Sequence, residues 1–137
     1  MPKASEIDTE AEPRGELALR TLAMPADANP NGDIFGGWLM AQMDIAGGIT
    51  AFSRAGGRVA TVAVDGFTFH LPVQVGDVLC CYADIIKVGN TSVTIRVEAW
   101  VLRQREKKRR EKVTEGIFTF VAIDEDRNKR PVPPEDL

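Results

Sequence analysis

The chain contains one long apolar stretch, and its pattern predicts a helix over residues 37–54. Within residues 37–52 the apolar and small side chains are interrupted only by Gln42, Asp44 and Thr50. A helix that is hydrophobic on every side is typical of a buried element. The segment is also too short and too rich in glycine to cross a membrane. We therefore expect the rest of the chain to wrap this helix.

Alternation of apolar and polar residues predicts the strands. It is clearest over residues 92–102, where every second position from Val93 onward is apolar, which indicates a strand with one face on the core. Further strands are predicted over residues 15–23, 58–69, 78–88 and 113–123. The first of these is also rich in Glu, Leu and Ala, so a helix remains an alternative there.

Glycine-containing pairs mark the turns. Asp65-Gly66 lies inside a strand pattern that resumes at once, which indicates a bulge rather than a turn. Gly89-Asn90 separates two strand patterns and predicts a hairpin. Gly56-Gly57 follows the helix and predicts its C-terminal cap. Residues 25–33 are dense in Asp, Asn, Pro and Gly, so we predict a loop there.

The order of the elements predicts one α+β domain over residues 14–124. A strand and a long helix are followed by four strands, which we expect to pair antiparallel, in sequence, as a meander. The sheet must then curve around the helix. Residues 1–13 are polar and acidic, which predicts a disordered lead-in. Residues 125–137 contain three prolines and predict an irregular tail.

Charge is distributed unevenly along the chain. Hydrophobic residues make up 44% of the sequence and the net charge is −3. Residues 103–112, which we call the basic tongue, contain seven basic and two acidic residues and carry +5, so the remainder carries −8. This balance does not suit a general nucleic-acid binder. The tongue suits a compact polyanion such as a nucleotide phosphate.

Other features exclude further classes of protein. The first thirteen residues contain no apolar run, so we predict no signal peptide, and no segment qualifies as transmembrane. Cys80 and Cys81 are adjacent and point to opposite faces of a strand, which makes a disulfide between them unfavourable. With one histidine, they are also too few for a metal site. We expect two reduced core cysteines in a cytoplasmic protein without membrane contact.

Asp44 is the first candidate for chemistry, because it is a carboxylate inside an apolar helix. Its neighbours at helical spacing are Met40, Ala41, Gly47 and Gly48, three of which are small. Each mid-helix glycine costs roughly 0.5–1 kcal/mol relative to alanine, so we expect a close approach to the backbone there. A strand, a second subunit and a substrate all remain open as the approaching group.

Several short motifs follow one another in a specific order. Around the helix start are Asp27-Ala28-Asn29, Gly32, the Ile-Phe-Gly-Gly-Trp-Leu-Met segment 34–40 and Met43-Asp44. After the helix come Val-Ala-Val-Asp-Gly at 62–66, Pro-Val-Gln-Val-Gly-Asp at 72–77, Gly-Asn-Thr-Ser at 89–92 and Val-Thr-Glu-Gly at 113–116. In this joint order, from about residue 17 to 124, the chain resembles the hotdog-fold acyl-CoA thioesterases and, among them, the YciA-like branch.

The resemblance implies a fold, an assembly and a reaction. A curved antiparallel sheet of about five strands is wrapped around one long buried helix. Two subunits join their sheets, the active site lies at the subunit interface, and three dimers form a hexamer. The implied reaction is hydrolysis of an acyl-CoA thioester to a free acid and CoA. Coenzyme A is then part of the substrate and product, and no separate cofactor is implied.

The helix start and the helical acid are the candidate catalytic groups. Backbone amides at a helix N-terminus are unpaired and carry the positive end of the dipole, which suits a developing oxyanion. With the resemblance, we predict this role for Gly37 and Gly36, although the two glycines are also compatible with a simple tight turn. Asp44 is predicted to be the general base or the nucleophile. The alternative for Asp44 is a buried structural acid.

The loop before the helix contributes a further candidate. Asn29 matches an asparagine that acts from the opposite subunit in related enzymes, where its amide would orient the water or hold the carbonyl. The alternative is an Asx-turn residue before Pro30, and Asn31 competes for the same role.

Binding of CoA and of the acyl chain is assigned from the resemblance. For the CoA nucleotide it implies the turn formed by Gly89, Asn90, Thr91 and Ser92, together with basic residues across the interface. The best candidates are Arg103, Arg105, Lys107 and Lys108, since arginine grips phosphate bidentately. A solvated hairpin is the alternative for the tongue. The acyl pocket is assigned to residues that are equally compatible with ordinary core, namely Met40, Met43, Phe67 and Phe69.

Two rival functions are considered. A non-catalytic acyl-CoA-binding or sensing hotdog module usually carries a DNA-binding segment ahead of the hotdog, whereas thirteen polar residues precede the first strand here. A hotdog hydratase or dehydratase requires a histidine paired with the acid, and the single histidine, His70, lies at a strand end far from the helix in sequence. We therefore predict an acyl-CoA thioester hydrolase, with the sensing module as the alternative.

Overall fold

The computed structural model describes residues 12–103 and 109–135, which form one long helix and a five-stranded sheet. The helix α1 spans Gly36–Ala55. The strands are β1 (Glu16–Leu22), β2 (Val59–Phe69), β3 (Val78–Val88), β4 (Ser92–Arg103) and β5 (Arg109–Ala122). Every predicted element is present, and residues 16–22 form a strand rather than a helix. Most of the predicted lead-in 1–13 lies outside the described residues.

The strand order corrects the predicted meander. All pairs are antiparallel and the order is β1-β3-β4-β5-β2, so β2 pairs with β5 at the far edge rather than with β3. Alternation identifies a strand but says nothing about its partner. The connection 70–77 separates two strands that lie three spacings apart, about 14 Å at 4.8 Å per strand. Eight extended residues span up to about 26 Å, so this segment is long enough to cross the sheet.

The core lies between α1 and the inner face of the sheet. Leu39, Met43 and Ala46 of the helix are buried against it. The inward positions of β4 are all fully buried, namely Val93, Ile95, Val97, Ala99 and Val101. This is the face that the alternation of residues 92–102 predicts.

Gly47 allows β5 to approach the helix. A Cβ added to Gly47 would lie 3.0 Å from the ring of Phe120 and 3.2 Å from Val97. A Cβ on Gly48 would lie 3.8 Å from Phe120, which is an ordinary contact. Of the three groups that the sequence leaves open, a neighbouring strand therefore accounts for the glycine at position 47.

The helix is not enclosed on all sides by its own chain, in contrast to the prediction from its composition. Phe52 is 56% exposed and Met40 is 37% exposed, and Ile45 and Ile49 are open to a similar degree. Val62 on the neighbouring edge strand β2 is 57% exposed. The described chain therefore leaves several apolar side chains of α1 and β2 exposed.

The turns form where glycine predicts them. Gly56 caps α1 in the left-handed region at φ +70°, and Gly66 at φ +60° lies at a register shift between β2 and β5, as expected for a bulge. Gly89 donates its amide to the Ser92 carbonyl at 2.8 Å and closes the β3–β4 hairpin. Cys80 and Cys81 are buried and unpaired.

Residues 124–135 contain no helix or strand, but hydrogen bonds fix them against the domain. The Arg130 guanidinium donates to the carbonyls of Ala55 at 3.0 Å and Ile123 at 3.1 Å. The Val132 amide donates to the Asn90 carbonyl at 2.8 Å. The segment therefore joins the C-terminal end of α1 to the β3–β4 turn.

Candidate active site

The Asp44 carboxylate contacts an edge strand that the sequence does not assign to the site. Asp44 lies on α1 and is half-buried, and the Thr61 hydroxyl of β2 donates to its Oδ1 atom at 2.6 Å. The bond fixes one carboxylate oxygen and leaves the second oxygen for other partners. Thr61 is thus a site residue that sequence reasoning missed, because no pattern reports which strand residue faces which turn of a helix.

The N-terminus of α1 presents unpaired backbone amides. The preceding residue, Phe35, makes no side-chain cap, and the first helical bond is donated by the Leu39 amide to the Phe35 carbonyl at 3.3 Å. The amides of Gly36 and Gly37 therefore have no acceptor within the helix and lie at the positive end of its dipole. This is the arrangement that an anionic oxygen requires.

The two glycines differ in the space around them. A Cβ added to Gly37 would meet no described atom within 4 Å, apart from its own chain neighbours, whereas a Cβ on Gly36 would lie 3.2 Å from the Phe69 ring. Gly36 is therefore partly explained by packing. Packing within the described chain does not explain a glycine at position 37. The close approach of a ligand is an explanation that fits the open space there.

The side chain of Asn29 organises its own loop. Its Oδ1 atom accepts hydrogen bonds from the amides of Asn31 at 2.9 Å and Asp33 at 3.1 Å. The side-chain oxygen therefore forms the Asx turn that the sequence offers as the alternative. The loop is held in turn by the Ile34 amide, which donates to the Val73 carbonyl at 2.9 Å. Any contact of Asn29 with a substrate is thereby left to its amide nitrogen.

A cavity of about 440 Å³ opens beside the helix start. Its size is within the range of small-molecule sites. Its lining is mostly apolar and combines the helix start with the end of β2 and the connection after it, namely Ile34, Gly36, Leu39, Phe69, His70, Leu71, Pro72 and Val73. His70, which the sequence places only at a strand end, thus lies at this cavity.

The structure separates the four residues predicted for the acyl pocket. Phe69 lines the cavity, and Phe67 packs beside it with 5.0 Å between ring centroids. Met43 is fully buried in the core, whereas Met40 lies on the open face of α1. A role of Met40 in an acyl pocket therefore requires a neighbouring subunit.

Arg103 is committed to partners within the chain. Its guanidinium donates to Asp77 Oδ2 at 2.8 Å, to Glu111 Oε2 at 2.8 Å and to the Pro72 carbonyl at 2.9 Å. These bonds use all three of its nitrogens, and this favours a structural tie over a phosphate grip. The other predicted CoA ligands of the tongue, Arg105, Lys107 and Lys108, lie outside the described residues.

Main-chain bonds explain part of the β3–β4 turn. Thr91 accepts the Ala122 amide at 2.8 Å, and Asn90 accepts that of Val132 at 2.8 Å. A Cβ on Gly89 would lie 2.7 Å from Ser92 Oγ, so a larger residue there would require the Ser92 hydroxyl to rotate. Contact of these four residues with CoA stays a prediction.

The described residues contain neither a cluster of metal ligands nor a helix that could span a membrane. No group of three or more His, Cys, Asp or Glu side chains in residues 12–103 and 109–135 is arranged to hold a metal ion. Over the same residues, no helix has the length and apolar character needed to span a membrane.

Comparison with known proteins gives a consistent result. Residues 31–108 match the thioesterase superfamily. The acyl-CoA thioester hydrolase YciA of Salmonella typhimurium is 58% identical over 123 residues, which cover 88% of this chain and 92% of that protein. Among solved structures, a hexameric thioesterase from Yersinia pestis is 57% identical with a TM-score of 0.87, covering 90% of this chain and 100% of that chain.

A further solved structure is that of HI0827, a hexameric broad-specificity acyl-coenzyme A thioesterase, in a form with an aspartate replaced by alanine. It is 50% identical, has a TM-score of 0.87, and covers 90% of each chain.

Proposed function

Because the chain belongs to the thioesterase superfamily and is an acyl-CoA thioester hydrolase, we propose that Asp44 is its general base or nucleophile and that the N-terminus of α1 is its oxyanion hole. The observation that carries the proposal is a carboxylate within an apolar helix, Asp44, whose Oδ1 atom is fixed by the Thr61 hydroxyl at 2.6 Å. The relative HI0827 was also solved with an aspartate changed to alanine, which supports an aspartate in this role.

The reaction begins at the thioester carbonyl. As a general base, Asp44 removes a proton from water, and the water oxygen attacks the carbonyl carbon. As a nucleophile, a carboxylate oxygen attacks the same carbon and forms a mixed anhydride, which water then hydrolyses. In both routes the carbon–sulfur bond breaks, and CoA leaves as a thiolate that takes up a proton.

Negative charge develops on the carbonyl oxygen during the attack. The amide of Gly37, and with it that of Gly36, is proposed to donate to this oxygen in the tetrahedral state. The open space at Gly37 supports the assignment, because a substrate can approach its backbone without meeting a side chain. The dipole of the 20-residue helix adds positive potential at the same place.

The site is proposed to be completed by a second subunit. Asn29 would act from the partner chain through its amide nitrogen, since its oxygen is held within its own loop. The uncovered apolar side chains of α1 and the edge position of β2 support a dimer. The hexameric relatives support a trimer of dimers as the assembly of this chain.

Substrate groups are assigned to the surroundings of the helix start. The acyl chain is proposed to enter the cavity lined by Phe69, with Phe67 behind it. The CoA nucleotide is proposed to lie at the turn 89–92 and the basic tongue. This chemistry requires no cofactor, since CoA enters and leaves with the substrate. We place the protein in the cytoplasm.

The experiment is thiol release from a panel of acyl-CoAs that differ in chain length, with wild type beside Asp44→Ala. We expect turnover by the wild type and a loss of at least about a hundredfold in the variant, in line with removal of a general base. Size-exclusion chromatography must show the same oligomer in both. Turnover that survives the substitution contradicts the role of Asp44. CoA binding without turnover on any substrate favours the sensing module instead.

A further inference from the structure

We infer that Arg103 is a positioning residue for the active site: it fixes residues 72–77 of the connection between β2 and β3, and this part of the connection holds the Asn29 loop and one wall of the cavity. The inference rests on the proposed function, because it assigns Arg103 an effect on that reaction. It replaces the direct contact with a CoA phosphate that the charge of the tongue suggests.

Arg103 holds both ends of residues 72–77 with one guanidinium. One terminal nitrogen donates to the Pro72 carbonyl at 2.9 Å and the other to Asp77 Oδ2 at 2.8 Å. The Nε atom donates to Glu111 on the next strand at 2.8 Å. The planar fork of arginine fits this set of acceptors, whereas lysine offers a single point charge.

The ionic contacts are shielded from water. The side chains of Arg103, Asp77 and Glu111 are 11%, 9% and 16% exposed. Charge-assisted hydrogen bonds in such surroundings are little screened. Removal of the cation would take the charged partner from the largely buried Asp77 carboxylate, which is strongly unfavourable. The connection is therefore expected to move when Arg103 is replaced by a neutral residue.

Asp77 closes the connection on itself. Its Oδ2 atom accepts the Gln74 amide at 2.9 Å as well as Arg103, and its own amide donates to the Gln74 carbonyl at 3.0 Å. Its carbonyl accepts the Ala23 amide at 3.0 Å. The shape of residues 74–77 thus depends on the carboxylate that Arg103 holds.

The connection transmits this order to the loop before the helix. Val73 accepts the Ile34 amide at 2.9 Å, and Gln74 forms an isolated bridge with Asp33. Asp33 in turn donates its amide to Asn29 Oδ1 at 3.1 Å and accepts the Asn29 amide at 2.7 Å. A continuous series of hydrogen bonds therefore links Arg103 to Asn29.

The same connection forms part of the cavity. Pro72 and Val73 line it together with Ile34 and Gly36 at the helix start. A shift of the connection alters the shape of the cavity and the path to the oxyanion amides. The expected defect is in the chemical step, because a small displacement of aligned groups slows the reaction more than it weakens binding.

The test compares Arg103→Gln with wild type on two substrates, an acyl-CoA and the corresponding acyl-pantetheine, which lacks the nucleotide. A positioning residue lowers kcat at least about tenfold on both substrates and changes KM by less than about threefold. A residue that grips phosphate instead raises KM on acyl-CoA and has no effect on acyl-pantetheine, and that result overturns the inference. Unchanged kinetics on both substrates overturn it as well.

Two further variants separate positioning from a general loss of stability. Arg130→Gln is the matched control, because that guanidinium also ties main-chain carbonyls, those of Ala55 and Ile123, at the opposite end of the helix. Its kcat on acyl-pantetheine is expected to stay within about twofold of wild type, since remote sites act independently. Arg103→Lys keeps the charge but replaces the fork by a single point charge, so it is expected to lose kcat as Arg103→Gln does. Equal loss in Arg130→Gln, or full kcat in Arg103→Lys, contradicts positioning by the fork.

Amide hydrogen exchange provides a readout that does not depend on turnover. Peptides covering residues 29–35 are expected to exchange at least about tenfold faster in Arg103→Gln than in wild type, and unchanged in Arg130→Gln. If Arg103→Gln does not fold, Asp77→Asn is judged by the same criteria. Exchange equal to wild type in that loop contradicts the inference. Absence of turnover in the wild type, in contrast, would count against the proposed function. The exchange result alone would then decide whether Arg103 fixes the loop.

Discussion

The Thr61 hydroxyl lies 2.6 Å from Asp44 Oδ1 and joins the edge strand β2 to the helix α1 at the proposed catalytic carboxylate. The bond selects one orientation of the carboxylate, and it leaves the other oxygen to act on water or on the thioester. Thr61 belongs to a strand whose outer edge has no partner strand among the described residues, so the orientation of Asp44 is linked to the open edge of the sheet.

Replacement of Thr61 by valine tests this link. Valine retains the branched shape, but it cannot donate the hydrogen bond to Asp44. We expect kcat to fall about ten- to a hundredfold, since a freely rotating carboxylate is less often aligned for attack. The thermal unfolding midpoint should change little, because the bond is exposed in the single chain. Thr61→Ser, which restores the donor, should recover most of kcat; equal activity in the valine and serine variants would contradict the role.

Gly37→Ala separates the effect of this position on kcat from its effect on the stability of the protein. The added methyl group meets no described atom within 4 Å beyond the chain neighbours, and alanine loses less backbone freedom than glycine when the chain folds. The variant should therefore be at least as stable as wild type in urea. We expect kcat to fall about tenfold, because the methyl group obstructs approach to the oxyanion amide. Full activity together with the gain in stability would show that no substrate comes close to Gly37.

The pair Gly47→Ala and Gly48→Ala tests the close packing of β5 on the helix. The new methyl at position 47 would lie 3.0 Å from the Phe120 ring, whereas that at position 48 would lie 3.8 Å away. We expect Gly47→Ala to destabilise the protein by about 1–3 kcal/mol through overpacking. Gly48→Ala should be neutral or stabilising by up to about 1 kcal/mol. Urea unfolding of both variants gives the comparison, and the reverse order would be inconsistent with this packing.

Burial makes the Cys81 thiol unreactive. Desolvation raises its pKa to about 12, and only the thiolate reacts with disulfide reagents. We expect the native protein to show no reaction at Cys81 at pH 8 with a chromogenic disulfide, and both cysteines to react once the protein is unfolded in guanidinium. Cys80→Ser isolates the Cys81 signal. Rapid reaction of the folded Cys80→Ser protein would contradict the burial of Cys81.

Phe52→Glu tests the uncovered face of α1. Phe52 is 56% exposed in the single chain, and a carboxylate there would be desolvated and unpaired if a second subunit covers it. We expect smaller particles by light scattering and a loss of activity with them, because Asn29 is proposed to act across the interface. Asn128→Glu, an exposed position on the segment after β5, is the control and should retain the oligomer. Retention of the oligomer by Phe52→Glu would place the interface elsewhere.

Sequence patterns predicted the elements because each depends on neighbouring residues. The alternation over 92–102 identified β4, and the apolar stretch after residue 36 identified α1. The pairing of β2 with β5 was not predictable, since side-chain alternation is the same whichever strand lies alongside. For the same reason Thr61 was missed, because its bond to Asp44 depends on how β2 is placed against the helix.

The sequence also could not show the partners of Arg103. Arg103 belongs to a strongly basic stretch, and together with the resemblance this led to the prediction that it binds CoA phosphate. In the structure its guanidinium is occupied by Asp77, Glu111 and the Pro72 carbonyl. A count of charges cannot distinguish an arginine that is paired within the fold from one that is available to a ligand. These three partners are distant in sequence or on the next strand, and their contact with Arg103 follows from the tertiary fold.

The most direct test of the central claim is kcat for Asp44→Asn, measured with saturating acyl-CoA and with substrate affinity determined separately. Asparagine keeps the size of the side chain and can still accept from Thr61, but it can neither remove a proton nor act as a carboxylate nucleophile. We expect kcat to fall at least about a hundredfold, while the dissociation constant changes less than about threefold. A kcat within a few-fold of wild type would contradict the catalytic role of Asp44 and assign the catalytic group to another residue.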